Sequence, residues 1–120
     1  MALYHTLPIY RDSYRLILKI FEATRDWPRE YKYTLGQDIK RDGLELIRLI
    51  YRANKHQEKQ GCLESLLDNL EIIKLQIRLA SDLKIIPIKK QAEIIEMMDA
   101  VGRQANGWKG KVFASDTTQL

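Results

Sequence analysis

Apolar residues recur at the three- and four-residue spacing of an α-helix in four segments of the chain, and no segment shows the alternation of a β-strand. The spacing predicts helices over about residues 8–25, 29–56, 62–84 and 87–108. Three of these starts lie at or beside a proline, which the first helical turn tolerates because the N–H it lacks would be unpaired there. We therefore predict an all-α fold, an antiparallel up-down-up-down four-helix bundle within residues 1–112, followed by a flexible tail over 113–120.

The same spacing predicts which residues form the core. The expected core face of the first helix consists of Tyr10, Tyr14, Ile17, Leu18 and Phe21. That of the second includes Leu35, Ile39, Leu46 and Ile50, and that of the fourth Ile88, Ala92, Ile95, Met98, Val101 and Ala105. The second helix also contains Gly36 and Gly43, which we attribute to close helix packing rather than to a ligand.

The third helix is apolar over more than one face. One stripe consists of Leu63, Leu66, Leu67, Leu70, Ile73 and Ile77, and a second of Ile72, Leu75 and Leu79. A single core-facing stripe would be enough for a helix of a small bundle. The second stripe therefore predicts contact between subunits.

Composition narrows the class of protein. With 45% hydrophobic and 30% charged residues, the 120-residue chain is expected to be globular rather than disordered. A single cysteine excludes an internal disulfide, the first ten residues carry no secretory pattern, and no apolar run could span a bilayer. We expect a cytoplasmic protein with no membrane partner.

Catalytic and metal-binding patterns are missing from the sequence. Cys62 has only His56 near it in sequence, so no catalytic triad can be assembled with it. His5 and His56 are far apart, and no Glu-x-x-His motif or glycine-rich phosphate loop occurs. We predict no catalytic residue, no metal site and no cofactor, and the protein is not expected to be an enzyme.

Rows of basic residues are the strongest candidate binding signal. The net charge is +4, and the whole excess lies in residues 1–60. The candidate residues for nucleic-acid or protein binding are Arg11, Arg15 and Lys19, then Arg41, Arg48 and Arg52, then Lys74 and Arg78. Such rows can follow a phosphate backbone. The alternative is that these residues form a solvated face with ordinary ion pairs. For a single chain this alternative is favoured, whereas assembly of several copies would multiply the positive charge and favour binding.

Three sequence features resemble a known family of small four-helix-bundle proteins. They are Tyr33-Thr34-Leu35-Gly36-Gln37-Asp38-Ile39-Lys40-Arg41, Val101-Gly102-Arg103-Gln104-Ala105-Asn106-Gly107-Trp108, and the pair Lys74 and Arg78 one turn apart. One branch of the family is encoded within intervening sequences of bacterial ribosomal RNA genes. The other is the accessory variability protein (Avd) of diversity-generating retroelements. The resemblance covers about residues 8–112, and the last two features favour the Avd branch.

The resemblance to Avd implies a fold, partners and a role. Avd proteins form homopentameric barrels with a basic surface, bind the element's reverse transcriptase and RNA or DNA, and support mutagenic retrohoming. The reverse transcriptase performs the chemistry. One departure is Lys74, where an arginine is expected, because lysine cannot make a bidentate phosphate contact. The alternatives are a ribosomal intervening-sequence relative with an RNA-associated or structural role, and an oligomerisation module whose charges serve only solvation.

Overall fold

The structure is a computed structural model that describes residues 3–55 and 59–118, with side chains described as far as residue 114. A short 3-10 turn, Tyr4–Thr6, precedes the α-helices. These are α1 (Pro8–Arg25), α2 (Arg29–Lys32), α3 (Leu35–Lys55), α4 (Lys59–Asp82) and α5 (Ile88–Thr118). Within the described ranges no strand occurs, so the predicted all-α class is confirmed.

The four long helices form an elongated bundle measuring 53 × 22 × 20 Å. Around the bundle α1 contacts α3, α3 contacts α4, α4 contacts α5, and α5 returns to α1. As a result α1 and α4 lie diagonally opposite each other, as do α3 and α5. This is the predicted four-helix arrangement, with the short α2 as an addition.

The core is mainly aliphatic, contains residues from all four long helices, and includes one buried aromatic side chain, Trp27. Its largest fully buried side chains are Leu16, Ile20, Ile39, Leu46, Ile50, Leu63, Leu66, Ile73, Ile77, Ile94, Met98 and Val101. Each such side chain stabilises the fold by roughly 1.5–3 kcal/mol relative to exposure. The predicted inner stripe of α4 lies in this core. Ile88, which was predicted for the core face of the last helix, is instead 80% exposed in the first turn of α5.

The predicted core face of α1 is wrong. Tyr14, Leu18 and Phe21 are 50%, 47% and 41% exposed, and of the five predicted residues only Ile17 is buried. The residues that face the core are Ile9, Ser13, Leu16, Ile17, Ile20 and Thr24. Two polar residues, Ser13 and Thr24, interrupt this face and weaken its apolar signal. The neighbouring stripe of Tyr14, Leu18 and Phe21 has the same helical period, and no polar residue interrupts it.

The prediction of one continuous second helix is also wrong, because the helix is broken at Tyr33 and Thr34. The Thr34 hydroxyl donates a hydrogen bond to the Glu30 carbonyl (2.8 Å), which satisfies the end of α2. After the break, Gly36 packs against Trp27, and a Cβ at Gly36 would lie 3.3 Å from the Tyr31 carbonyl oxygen. The close packing predicted for Gly36 is therefore present. The predicted end of this helix, His56, lies outside the described residues.

The second glycine of the predicted helix is different. A Cβ at Gly43 would lie 3.6 Å from Ile17 Cγ1 and 3.7 Å from Ile20 Cδ1, which is ordinary van der Waals contact. The α1–α3 packing therefore has room for a methyl group at this position, and close approach does not require the glycine.

Both ends of α4 differ from the prediction of residues 62–84. The helix begins at Lys59, whose Nζ donates hydrogen bonds to the carbonyls of Ala53 (2.9 Å) and Asn54 (3.3 Å) at the end of α3. It ends at Asp82, after which Lys84 adopts a left-handed conformation with φ of 60°. The Ile85 N–H then bonds to the Ala80 carbonyl (3.0 Å), which closes the helix end.

The last helix is longer than the predicted 87–108. It continues to Thr118 through Gly107 and Gly110, each of which costs only about 1 kcal/mol within a helix. Loss of the apolar period ends the core-facing stripe but does not by itself end a helix, because the backbone hydrogen bonds do not depend on an apolar face. The flexibility predicted for 113–120 stays a prediction, and residues 119–120 lie outside the described part.

Candidate nucleic-acid and assembly surfaces

The basic row of α3 lies on the outer surface of the bundle. Arg41 and Arg48 have side chains that are 71% and 64% exposed. Arg48 contacts Glu45 (3.2 Å), and Arg41 contacts two carboxylates of its own helix at 3.4 and 3.6 Å. For Arg52, which is exposed, no carboxylate of the described residues lies within 4.0 Å. Exposed pairs of this kind are worth about 0–1 kcal/mol, so these guanidinium groups remain free to bind phosphate.

Hydrogen bonds between α3 and α4 fix the orientation of this row. Asn69 Nδ2 donates to the Asp42 carbonyl oxygen (2.6 Å), and Gln76 Nε2 donates to Asp42 Oδ2 (2.8 Å). The Asp42 carboxylate also lies 3.6 Å from Arg41 Nε. The first residue of the basic row is thus joined through Asp42 to the neighbouring helix.

The basic row of α1 faces solvent beside α5. Arg11 and Arg15 lie 3.6 and 4.0 Å from the same carboxylate, Asp12, which also accepts a hydrogen bond from Gln104 (2.7 Å). Lys19 instead bridges to Glu93 of α5 at 3.3 Å. Two guanidinium groups sharing one carboxylate leave a local positive charge, whereas Lys19 already contributes to the contact between α1 and α5.

Lys74 occupies a groove of mixed charge between α4 and α5. Its Nζ lies 3.1 Å from Asp99 and 3.5 Å from Glu71. The hydrogen bond to Asp99 raises the pKa of Lys74 above its ordinary value, an effect that partial burial opposes and Glu71 reinforces. Arg103 and a further carboxylate, Asp68, also line this groove. Lys74 is therefore a neutralised partner in a groove lined by three carboxylates and two cations.

Arg78 has a different environment from Lys74, although the two were predicted as a pair. It is exposed one turn further along α4, and within the described ranges no carboxylate lies within 4.0 Å of it. Its guanidinium is available, whereas the Lys74 ammonium would have to leave Asp99 to bind a phosphate.

The predicted basic residues do not form one surface on a single chain. The α1 row and the Lys74–Arg78 pair belong to diagonally opposite helices, and the α3 row lies on a third helix. The structure brings the members of each row together, as their helical spacing predicts, but it does not bring the rows together.

Two separate apolar surfaces are exposed. We call the first the α4 face; it consists of Ile72, Leu75, Leu79 and Leu83, which are 48%, 62%, 46% and 38% exposed. The second stripe predicted on this helix is thus outside the core. We call the other the α1–α3 face; it consists of Leu18, Phe21 and Leu44, and Lys40 Nζ lies 5.5 Å from the centre of the Phe21 ring. The two faces differ in both shape and chemistry.

A cluster of aromatic rings was missed by the sequence analysis. The turn before α1 places Tyr4 against Tyr10 and Tyr51, with ring centres 5.4 and 5.1 Å apart, and Tyr10 stacks on Tyr14 at 6.2 Å. We call Tyr4, Tyr10, Tyr14 and Tyr51 the tyrosine cluster. The contact joins residues 47 positions apart, so helical spacing could not reveal it. The available signal was that all six tyrosines lie within the positively charged first half of the chain.

Comparison with known protein families identifies the chain. A family model described as bAvd-like matches residues 8–112, which include the four long helices except the end of α5. The chain belongs to the bAvd-like family. None of the curated proteins compared with it is significantly similar.

The segment that carries the Avd resemblance, residues 101–108, lies in the middle of α5. Val101 and Ala105 are buried in the core, and Trp108 packs against it. A Cβ at Gly102 would lie 3.8 Å from a methyl group of Leu70 on α4. In this bAvd-like chain, much of the segment therefore serves the packing of the bundle, while Arg103 lines the groove beside Lys74.

At the level of the family, the match supports an accessory protein of the Avd type. Over the described residues, no three or more His, Cys, Asp and Glu side chains group together in a way that could hold a metal ion. In the same part of the chain, no helix combines the length and apolar character needed to cross a membrane.

Proposed function

We propose that this protein is a non-catalytic accessory protein of a diversity-generating retroelement. It binds the element's reverse transcriptase and nucleic acid, and supports mutagenic retrohoming in the cytoplasm. The bAvd-like match over residues 8–112 is the observation that carries this proposal. The reverse transcriptase performs the chemistry, and the bundle supplies binding surfaces.

The working form is a homopentamer built from the two exposed apolar surfaces. The α4 face of one copy packs on the α1–α3 face of the next. Because the two faces are different, the contact is heterologous and repeats from copy to copy with the same rotation, and in the proposed homopentamer five such rotations complete a full turn and close the ring. Five chains of net charge +4 give the ring a formal charge of +20, which favours a polyanionic partner.

The exposed arginines bind the phosphate backbone of RNA or DNA. Arg52 supports this role best, because it is exposed and lies outside the groove of the α1–α3 face, whereas Arg41 and Arg48 are exposed but border that groove. Arg11 and Arg15 add a second site on α1. Lys19 is the weakest member, since it already pairs with Glu93.

The groove that contains Lys74 binds the reverse transcriptase, and the exposed Arg78, one turn further along α4, adds to this contact. The alternating acidic and basic groups of the groove suit a protein surface of complementary charge better than a polyphosphate.

Affinity purification of the tagged protein from its native cells tests the proposal directly. Recovery of a reverse transcriptase together with its template-repeat RNA is the expected result. Recovery of ribosomal RNA fragments without a polymerase would instead favour the ribosomal intervening-sequence alternative. Recovery of only the protein itself would favour a structural oligomerisation module.

A further inference from the structure

The tyrosine cluster presents open aromatic surface at one end of the bundle. Tyr4 packs edge-to-face, with interplanar angles of 84° to Tyr10 and 89° to Tyr51. Tyr14 and Tyr51 remain 50% and 40% exposed. The inner rings therefore hold the outer two in place, while the outer two keep surface on which another planar group can stack.

Positive charge surrounds these rings. Lys55 Nζ lies 5.4 Å from the centre of the Tyr51 ring and 3.4 Å from its hydroxyl oxygen. Arg52 follows Tyr51 in the chain and has no carboxylate within 4.0 Å among the described residues. On the other side, Arg11 and Arg15 flank Tyr14 on α1 and share the single carboxylate described above.

We propose that the tyrosine cluster is a binding site for single-stranded nucleic acid. Unpaired bases stack on Tyr14 and Tyr51, and the phosphates between them contact Arg11, Arg15, Arg52 and Lys55. Alternating aromatic and basic side chains are the features that single-stranded ligands require, because every base has a π-face and every linkage a charge. Bases within a duplex are already stacked on each other and cannot use the rings. The inference rests on the proposed function and specifies which form of nucleic acid this site selects.

The exposure of the outer rings distinguishes this role from a structural one. Tyr4 is partly buried and anchors the turn before α1. Tyr14 and Tyr51 would gain nothing for the fold from their exposed surface. A second copy of the same cluster is a poor occupant, because its own cations would repel those already present.

The decisive experiment replaces the outer rings with leucine, which keeps an apolar helical side chain but removes the stacking surface. The variants are Tyr14→Leu, Tyr51→Leu and their combination. Tyr33→Leu is the matched control, because Tyr33 is 56% exposed and its ring centre lies 6.0 Å from the Arg29 guanidinium. Tyr33 also precedes α3, whose first residue, Leu35, lies about 24 Å from Tyr51 along the helix axis. Fluorescence anisotropy measures Kd for an oligouridylate, an oligothymidylate and an RNA duplex of equal length.

Each single variant is expected to weaken single-strand binding by at least about fivefold, with more for the double variant. Duplex binding and the Tyr33→Leu protein should stay within about twofold of wild type. The oligouridylate and oligothymidylate series separate RNA from DNA as the preferred strand. Equal losses for single strand and duplex, or no loss in the double variant, would overturn the proposal.

Light scattering on the same variants tests the competing occupant. A double variant that dissociates while still folded would place Tyr14 and Tyr51 in the subunit contact and overturn the proposal. Wild-type protein that binds its reverse transcriptase and template RNA but shows no preference for single strands refutes only the tyrosine site. Wild-type protein that binds no nucleic acid removes the proposed function as well.

Photo-crosslinking of the wild-type protein does not depend on the folding of any variant. An oligomer of 4-thiouridine is bound, irradiated, and the modified peptides are identified by mass spectrometry. Crosslinks are expected on the peptides that contain Tyr14 and Tyr51. Crosslinks confined to peptides from the opposite end, such as the one containing Tyr33, would contradict the assignment.

Discussion

Leu75→Glu should dissociate the proposed ring without unfolding the bundle. Leu75 is 62% exposed in the single chain, so the change removes few core contacts. In the ring the same side chain is covered by the next copy. Full burial of a leucine is worth roughly 1.5–3 kcal/mol, so the remaining exposed part contributes roughly 1–2 kcal/mol to each subunit contact.

The introduced carboxylate increases this loss. Moving an unpaired charge out of water costs several kcal/mol. Together with the lost apolar contact, the change should weaken each subunit contact by at least about 4 kcal/mol, or roughly a thousandfold in Kd. The stripe as a whole, including Ile72 and Leu79, supplies the contact that this single charge disrupts.

Size-exclusion chromatography with light scattering measures the mass, and circular dichroism measures the fold. The wild type should show the mass of an oligomer, and Leu75→Glu the mass of one chain with unchanged helix content. Ile88→Glu is the matched control, because Ile88 is 80% exposed in the first turn of α5 and outside the α4 face. A folded Leu75→Glu protein of wild-type mass would refute the reasoning, as would a wild type that is monomeric.

Three further predictions concern the packing, the charged groove and the arginine row. Gly43→Ala should raise the free energy of unfolding by about 1 kcal/mol, whereas Gly36→Ala should not, because the added methyl group at position 36 would press on the Tyr31 carbonyl. Urea denaturation measures both values, and a Gly36→Ala protein more stable than Gly43→Ala would contradict this. The raised pKa of Lys74 gives a stabilisation that, on the alkaline side, is lost as pH rises through the raised value. The stability difference between wild type and Asp99→Asn, about 0.5 kcal/mol, should therefore hold from neutral pH to pH 10.5 and shrink above it in denaturation curves; a difference that stays constant above pH 10.5 would exclude the ion pair as its cause. Arg52→Gln should lower the slope of log Kd against the logarithm of the salt concentration, measured with a single strand, by about 0.7. The control Lys74→Gln should leave this slope unchanged, and equal effects of the two substitutions would argue against a phosphate contact by the α3 row.

Much of the fold was predictable because helical period and proline positions are local properties. The predicted start of α1 at Pro8 and the buried stripe of α4 follow from them directly. The break at Tyr33–Thr34 was not predictable in this way. It depends on a threonine hydroxyl bonding to a carbonyl four residues earlier and on Trp27 packing against Gly36, and neither contact changes the apolar period.

The same distinction between local spacing and contacts of distant residues applies to the candidate sites. Residues one turn apart share a face of a helix, so each basic row could be predicted from sequence. Partners on other helices could not be predicted. The contacts of Lys74 with Asp99 and of Lys19 with Glu93 decide which cations are free, and each depends on which helices are neighbours. The tyrosine cluster needs a further contact, from the turn before α1 to the end of α3.

The one wrong core face gives a reason for expecting an assembly. Leu18 and Phe21 on α1 have the period and the apolar character of a core face, yet they lie outside the core. A helix surface that satisfies the requirements of burial, and is not buried by its own chain, is most simply explained by burial against another chain. The α4 face meets the same description on the far side of the bundle. Since the two surfaces differ, neither is expected to pair with itself, and a contact between unlike faces passes from copy to copy and closes into a ring when the rotations add up to a full turn. The wrong core face on α1 and the extra stripe on α4 therefore both support the proposed ring, in which each copy makes two subunit contacts in addition to its own core.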